Sequence, residues 1–304
     1  MKKAFLLLAS AALLFAGCRK EQLTQTAEKD GNEVTVTFTA GLTPEGTKAT
    51  IDGDGAGENV NHWVLEVHDN QGLFYEVERD VAKGTSEQTY QLKLFKNQTY
   101  TLLFWADTKG AYNTDDLTSV SKSGFTANAD SLDAFSASVP YTSLVSESKN
   151  VTLTRPFGQL NIITTDLAAL KTQVEESAYD KYAPNTFNVK VEIPTSFNVK
   201  DQKAGDITET ELYAAEIYGN FNEPDSRGTT LFMDYIFASA ESADVRDIGF
   251  SFYSNFNEIK YKFGNIPLQR NYRTNIKGRL MSNDSEWKVV IDPIWNTPEY
   301  TKGL

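Results

Sequence analysis

The chain has 304 residues with a formal net charge of -12, from 41 acidic against 29 basic side chains, and a single cysteine. That balance excludes the basic footprint that nucleic-acid binding requires, and it excludes adhesion to anionic lipid head groups by charge alone. One cysteine, Cys18, also excludes an intramolecular disulfide and a cysteine-ligated metal cluster.

Residues 1–17 have the parts of a secretory signal, with Lys2 and Lys3 followed by the apolar run Ala4 to Leu14. A bilayer span takes about 20 apolar residues, so the run is too short to cross. Leu14-Phe15-Ala16-Gly17-Cys18 resembles a lipoprotein signal-peptidase site, in which small residues precede the cysteine and its thiol takes a diacylglycerol. Phe15 stands where such sites prefer Leu, which leaves an ordinary signal peptide or an uncleaved anchor as alternatives. The residues around Cys18 are polar and supply no organised base, so lipid attachment explains the cysteine better than nucleophilic catalysis. Loss of Lys2 and Lys3 with the signal takes the mature chain to -14.

Residues 18–33 lack apolar periodicity and read as a lipidated tether. Folding is expected from Val34, where Val34, Val36 and Phe38 alternate with threonines in the period-two pattern of a half-buried strand. The stretch from Gly41 to Glu58 is rich in Gly, Thr and Asp and reads as an exposed loop. Trp63, Leu65 and Val67 alternate again, Asp69-Asn70-Gln71-Gly72 carries turn chemistry, and Leu73 to Val77 returns as a hairpin partner. Tyr90, Leu92 and Leu94 mark another strand, and the continuous apolar run Tyr100 to Ala106 predicts a strand buried on both faces. Asp107 to Leu144 reads as irregular, pinned by Phe125, Leu132 and Phe135. Strands at Val151 to Leu153 and Gly158 to Ile163 close the first half.

Thr165 or Asp166 is placed to cap a short helix with Leu167, Leu170 and Val174 on one face, which sets the expected boundary between residues 34–165 and 166–304. Strands follow at Phe187 to Ile193, Thr229 to Phe237, Ile248 to Phe256, Glu258 to Phe263, Tyr272 to Met281 and Trp287 to Ile291. Many short strands with almost no helix predict an all-β chain of two tandem β-sandwiches.

The search for chemistry returns little. Asp52 to Glu58 looks like the start of a calcium loop, but the fifth and twelfth ligand positions hold Ala56 and Trp63, which leaves at most a looser site completed by distant carboxylates. His62 and His68 flank one strand and share a face with Glu66, but strand neighbours spread about 7 Å per two residues rather than closing on an ion, so both read as exposed polar positions. The serines lie outside any Gly-x-Ser-x-Gly context, and Asp115-Asp116 and Glu175-Glu176 are adjacent pairs that splay apart. Neither a catalytic residue, a metal nor a cofactor is expected. Asp130-Ser131-Leu132 resembles a short O-glycosylation motif of exported Bacteroidota proteins, which makes Ser131 a candidate modification site. Tyr112, Tyr141 and Tyr300 read as exposed aromatics able to stack on sugars.

Three longer stretches, taken with the lipoprotein start, resemble the fimbrillin-like lipoproteins of Bacteroidota, subunits of type V pili. They are Leu103-Phe104-Trp105-Ala106-Asp107; Thr154-Arg155-Pro156-Phe157-Gly158-Gln159-Leu160-Asn161 with Thr164-Thr165-Asp166; and Ile266 through Ile276 to Gly278, with Val290-Ile291-Asp292-Pro293 closing the chain. The resemblance implies two transthyretin-like, Greek-key sandwiches and an outer-membrane or cell-surface lipoprotein held by its lipid. It further implies a structural subunit whose partners are other fimbrial subunits or copies of itself, joined by strand exchange, along with host or bacterial surface ligands. In that family a protease removes the first strand and a strand from another subunit fills the groove. Here that strand is Val34 to Ala40, and the processing place is Thr47-Lys48-Ala49, where relatives carry Thr-Arg-Ala. Lys48 would not satisfy a strictly arginine-specific enzyme, so the chain is either cut by a broader one or stays uncut with its lipid, as anchor subunits do. The competing reading is a surface glycan-binding lipoprotein that does not polymerise.

Overall fold

The computed structural model describes residues 18–23, 32–42, 57–124, 127–128, 132–173, 186–205, 207–214, 228–239, 244–253, 258–281 and 287–292. The strands of the first half are β1 (Cys18–Leu23), β2 (Glu33–Leu42), β3 (His62–Asp69), β4 (Gly72–Asp80), β5 (Glu87–Phe95), β6 (Thr99–Asp107), β7 (Tyr112–Asn113), β8 (Val120–Lys122), β9 (Phe135–Thr142) and β10 (Glu147–Leu153). The second half comprises β11 (Phe157–Thr164), helix α1 (Leu167–Gln173), β12 (Thr186–Pro194), β13 (Ser196–Asn198), β14 (Lys203–Ala204), β15 (Ile207–Ala214), β16 (Thr229–Phe237), β17 (Asp244–Tyr253), β18 (Glu258–Leu268), β19 (Arg273–Gly278) and β20 (Trp287–Asp292).

Two β-sandwiches result, as the alternating patterns predict. The first faces the sheet β1-β4-β3-β6-β9 with β10-β2-β5, and the second faces β16-β11-β19-β20 with β15-β12-β17-β18. Val36, Phe38, Trp63, Leu65, Leu102 and Phe104 fill the first core, while Leu160, Ile162, Phe187, Phe232 and Phe250 fill the second. The hairpin β3–β4 turns at Asp69, whose carboxylate accepts the N–H groups of Gln71 at 2.7 Å and Gly72 at 3.1 Å, with Gly72 at φ 128°.

A third apolar layer lies between the sandwiches. Leu102, Phe104 and Ala106 of β6 point into the first core, whereas Leu103 and Trp105 point the other way and join Val64, Phe157, Met233, Tyr235 and Phe237. This is why the run from Tyr100 to Ala106 has no polar face. The seam is sealed by a small sheet, β14-β13-β8-β7, in which Phe197 of the second half pairs with Val120 of the first. Phe197 stacks on Phe237 at 5.8 Å, and Tyr112 lies edge-on to Trp105 at 5.3 Å.

Three sequence expectations are corrected. The segment after Cys18 is not wholly a tether, because β1 pairs antiparallel with the free edge of β4, and an edge strand needs backbone partners rather than apolar alternation. Phe157–Thr164 does not close the first sandwich; β11 sits between β16 and β19 in the second, so the boundary falls at residues 154–156 rather than 165. The stretch Asp107 to Leu144 contains β9, whose Phe135, Ala137 and Tyr141 are buried in the first core. Asp166 stands at the N-cap of α1, where its backbone carbonyl accepts from Leu170 N at 2.9 Å, and its carboxylate also accepts from Met281 N at 3.1 Å and from Thr164 Oγ1 at 2.6 Å.

Candidate functional site

The sequence singles out β2, and the fold gives it an unusual position. It is the middle strand of a three-stranded sheet, parallel to β10 from Glu147↔Val36 to Leu153↔Leu42 and antiparallel to β5 from Glu33↔Phe95 to Gly41↔Glu87. Val34, Val36, Phe38, Ala40 and Leu42 all point into the core, while the residues between them face outward. Burying Val34, Val36, Phe38 and Leu42 contributes about 1.5–3 kcal/mol each. With neighbours about 4.8 Å away on either side, the place that β2 fills is a slot roughly 10 Å wide, floored by the facing sheet.

The ends and flank of that slot are pinned. Lys96 N donates to Asn32 O at 2.7 Å and Leu42 N to Ser86 O at 3.0 Å. Gly57, at φ 71°, lies so close to Leu42 that a Cβ there would come within 2.6 Å of Leu42 Cδ1. Between the edge strands β9 and β10 a cleft of about 520 Å³ opens onto Phe38, with Val139, Tyr141, Glu147 and Val151 on its walls. The Tyr141 hydroxyl donates to Glu147 Oε1 at 3.1 Å, and burial together with that carboxylate pushes the Tyr141 pKa up to about 12. Lys149 hydrogen-bonds Glu147 and holds its carboxyl below the ordinary glutamate value.

A second constellation, which sequence reasoning missed, lies on the outer face of β3. His62 and Glu66 are not exposed, as their spacing suggested, but 4% and 2% accessible. His62 Nδ1 meets Asp107 Oδ1 at 2.6 Å, and its Nε2 meets Glu78 Oε1 at 3.0 Å. Burial alone would lower the His62 pKa, but the hydrogen bond and charge of Asp107, with those of Glu78, raise it above the ordinary value; burial raises that of Asp107. Further along, Glu66 accepts from Leu117 N at 2.8 Å and meets His68 Nε2 at 2.6 Å. Residues after β6 close over part of this face, with Leu117 bonded to Glu66 and Tyr112, Leu117 and Val120 in one apolar cluster with Val64. Nothing local in the sequence announces that cover; the one available hint was Asp107 ending an otherwise apolar run.

The linker between the sandwiches is fixed by charge. Arg155 donates from Nε and Nη2 to the two oxygens of Asp133, each at 2.7 Å, and its guanidinium lies over the Phe135 ring at 4.7 Å. Lys122 of β8 reaches both oxygens of the buried Asp234 of β16 at 2.8 and 2.9 Å, although burial still leaves the Asp234 pKa raised.

The structure does not gather the sequence-predicted site residues into one place. Cys18 begins β1, opposite Arg79 of β4. Lys48 and Ser131 lie outside the described residues, as do residues 1–17, Asp52 to Ala56, Glu175-Glu176, Tyr300 and the C-terminal stretch after Asp292. Tyr112 and Tyr141 are buried, at 5% and 8% accessibility, and are not the exposed sugar-stacking rings expected of them.

Solved structures share this fold. A DUF1812 protein from Bacteroides thetaiotaomicron VPI-5482, described as a candidate polysaccharide-binding protein, is similar with a TM-score of 0.52 at 10% identity, over 86% of this chain and 96% of its own. A candidate adhesin from Bacteroides ovatus gives 0.51 at 10% identity, over 85% and 92%. The tip fimbrial protein Mfa3 from Porphyromonas gingivalis gives 0.50 at 12% identity, over 86% and 99%. No curated protein matches the sequence. The model of a protein family of unknown function, DUF6562, matches residues 25–303, nearly the whole length, and the chain belongs to that family.

Proposed function

We propose that this protein is a non-catalytic structural subunit of a fimbrial or fimbria-like assembly on the cell surface, tethered by lipid at Cys18 and able to join other subunits by strand exchange at β2. The observation that carries the reading is the placement of β2 between β10 and β5 with an unbroken row of five core side chains. Loss of that strand would expose two rows of unpaired backbone groups and a strip of core together, and one incoming strand satisfies both. The shared fold with a tip fimbrial protein and a candidate adhesin supports the same reading. The glycan-binding alternative draws on the likeness to a candidate polysaccharide-binding protein, but two of the three tyrosines meant to serve it are buried.

Digestion with a lysine-specific protease, with the cut at Lys48 confirmed by mass spectrometry and size followed by light scattering, tests the exchange. The uncut protein is expected to be a monomer and the cut protein to polymerise. A variant ending at Pro293 should lose that ability if the C-terminal stretch Trp295 to Leu304 is the donor. Cut protein that stays monomeric with β2 bound would remove the polymerising role and favour an anchor subunit or a non-fimbrial lipoprotein. For the tether, Cys18→Ala should move the protein from membrane to soluble fractions, because acyl chains supply most of the membrane affinity.

A further inference from the structure

Strand register, rather than sequence spacing, assembles a group of ligand-type side chains at one end of the first sandwich. His62 opens β3, its partner on β4 is Asp80, and its partner on β6 is Asp107. Cross-strand partners share a face, and Glu78, two residues before Asp80, shares it too. One ligand atom from each of His62, Glu78 and Asp80 lies within 4.8 Å of the other two. His62 is nearly inaccessible, whereas the side chains of Glu78 and Asp80 are 26% and 36% exposed, so the group is rooted in the protein and open to solvent on one side.

We propose that His62, Glu78 and Asp80 bind a divalent ion of the zinc class, with Asp107 as the residue that orients the imidazole. Zinc takes nitrogen and carboxylate oxygen at about 2.0–2.2 Å, which sets tetrahedral ligand atoms about 3.3–3.5 Å apart. The 3.0 Å between His62 Nε2 and Glu78 Oε1 is close to that edge length already. Asp80 Oδ1 is buried and has no hydrogen-bond partner, so it has a lone pair to give. Asp107 on Nδ1 at 2.6 Å supplies the carboxylate behind the ligating histidine that fixes its tautomer and ring angle at zinc sites. A ring nitrogen beside two carboxylates favours zinc and its first-row neighbours over magnesium or calcium, which take all-oxygen shells. Water would fill the fourth position on the open side.

The cation now facing the group is Lys109, paired with Asp80 and itself 37% exposed, while Lys20 of β1 is the register partner of Glu78. Lys109 competes for the carboxylate that the ion needs. Removing it should tighten binding rather than weaken it, which a merely structural ion pair would not do.

The test uses the full purified protein, stripped with EDTA and titrated with zinc chloride in a calorimeter, with the absorption bands of cobalt(II) reporting coordination geometry. One saturable site is expected, with a melting temperature raised by zinc and returned by chelator. Asp80→Asn and Glu78→Gln should each weaken binding by roughly tenfold or more in variants whose stripped forms still melt cooperatively, and Lys109→Ala should strengthen it. Should His62→Gln fail to fold, the Asp80 and Glu78 variants carry the test, since both side chains are partly in solvent. The site is refuted if the wild-type protein shows no saturable zinc binding, or if binding survives Asp80→Asn and Glu78→Gln undiminished and the ion therefore sits elsewhere on this acidic chain.

Discussion

The ring of Tyr141 meets that of Phe38 edge-on, at 5.2 Å between centroids and 87° between planes. Phe104 lies on another side of Phe38 at 6.3 Å, so one side chain of β2 ties together β9 and β6 of the facing sheet. Phe38→Ala should cost about 3–5 kcal/mol in urea unfolding, followed by the fluorescence of the buried Trp63 and Trp105. Thr35→Ala, on the outward face of the same strand, should stay within about 0.5 kcal/mol. Equal losses would mean that β2 is not held by its inward row.

Tyr141 also gives the first sandwich an alkaline weakness. Its hydroxyl titrates at about 12 in the fold against 10.0 unperturbed. Between those values the unfolded chain gives up this proton and the folded chain keeps it, so rising pH favours unfolding. Stability should therefore fall between pH 10 and 12, and part of that fall should vanish in Tyr141→Phe, which keeps the ring contact with Phe38. Parallel pH profiles for the two proteins would show that the hydroxyl is not shielded as described.

Gly57 is required twice over, for its positive φ and for the space that Leu42 occupies. Gly57→Ala should destabilise by more than about 1 kcal/mol. Pairing it with Leu42→Ala should make the two losses less than additive, because the smaller side chain relieves the clash. Strict additivity in a double-mutant cycle would locate the cost in the backbone alone.

The bidentate pair of Arg155 and Asp133 is nearly inaccessible at both ends. Arg155→Met should cost about 3–5 kcal/mol, since it strips a buried carboxylate of its guanidinium, and adding Asp133→Leu should recover much of the loss. Thermal melts of the single and double variants decide this; a double variant as weak as the single one would show that the linker needs the charges themselves.

How much of this was legible in the sequence depended on which side of a strand water sees. Val34, Val36 and Phe38 face a core on one side and solvent on the other, so alternation identified β2 within a few residues of its ends. Thr229–Phe237 was equally clear because both its faces are buried and most of its side chains are apolar. The strand β9 lay inside the stretch read as irregular, although Phe135, Ala137, Val139 and Tyr141 alternate there; β9 is an edge of its sheet, where Pro140 is tolerated. His62 misled for a different reason. A charged outer face normally means solvent, and here Tyr112, Leu117 and Val120 of the same chain pack on that face with Val64, a long-range packing event that no local pattern encodes.

Stretched along its length, this molecule would resist as a welded plate rather than as two beads on a string. Pulling the halves apart would have to part the seam in which Trp105, Tyr112, Phe197 and Phe237 pack and draw Lys122 off Asp234, as well as extend residues 154–156. Force between the two halves would therefore be shared by a broad dry contact and not carried by a narrow peptide bridge alone.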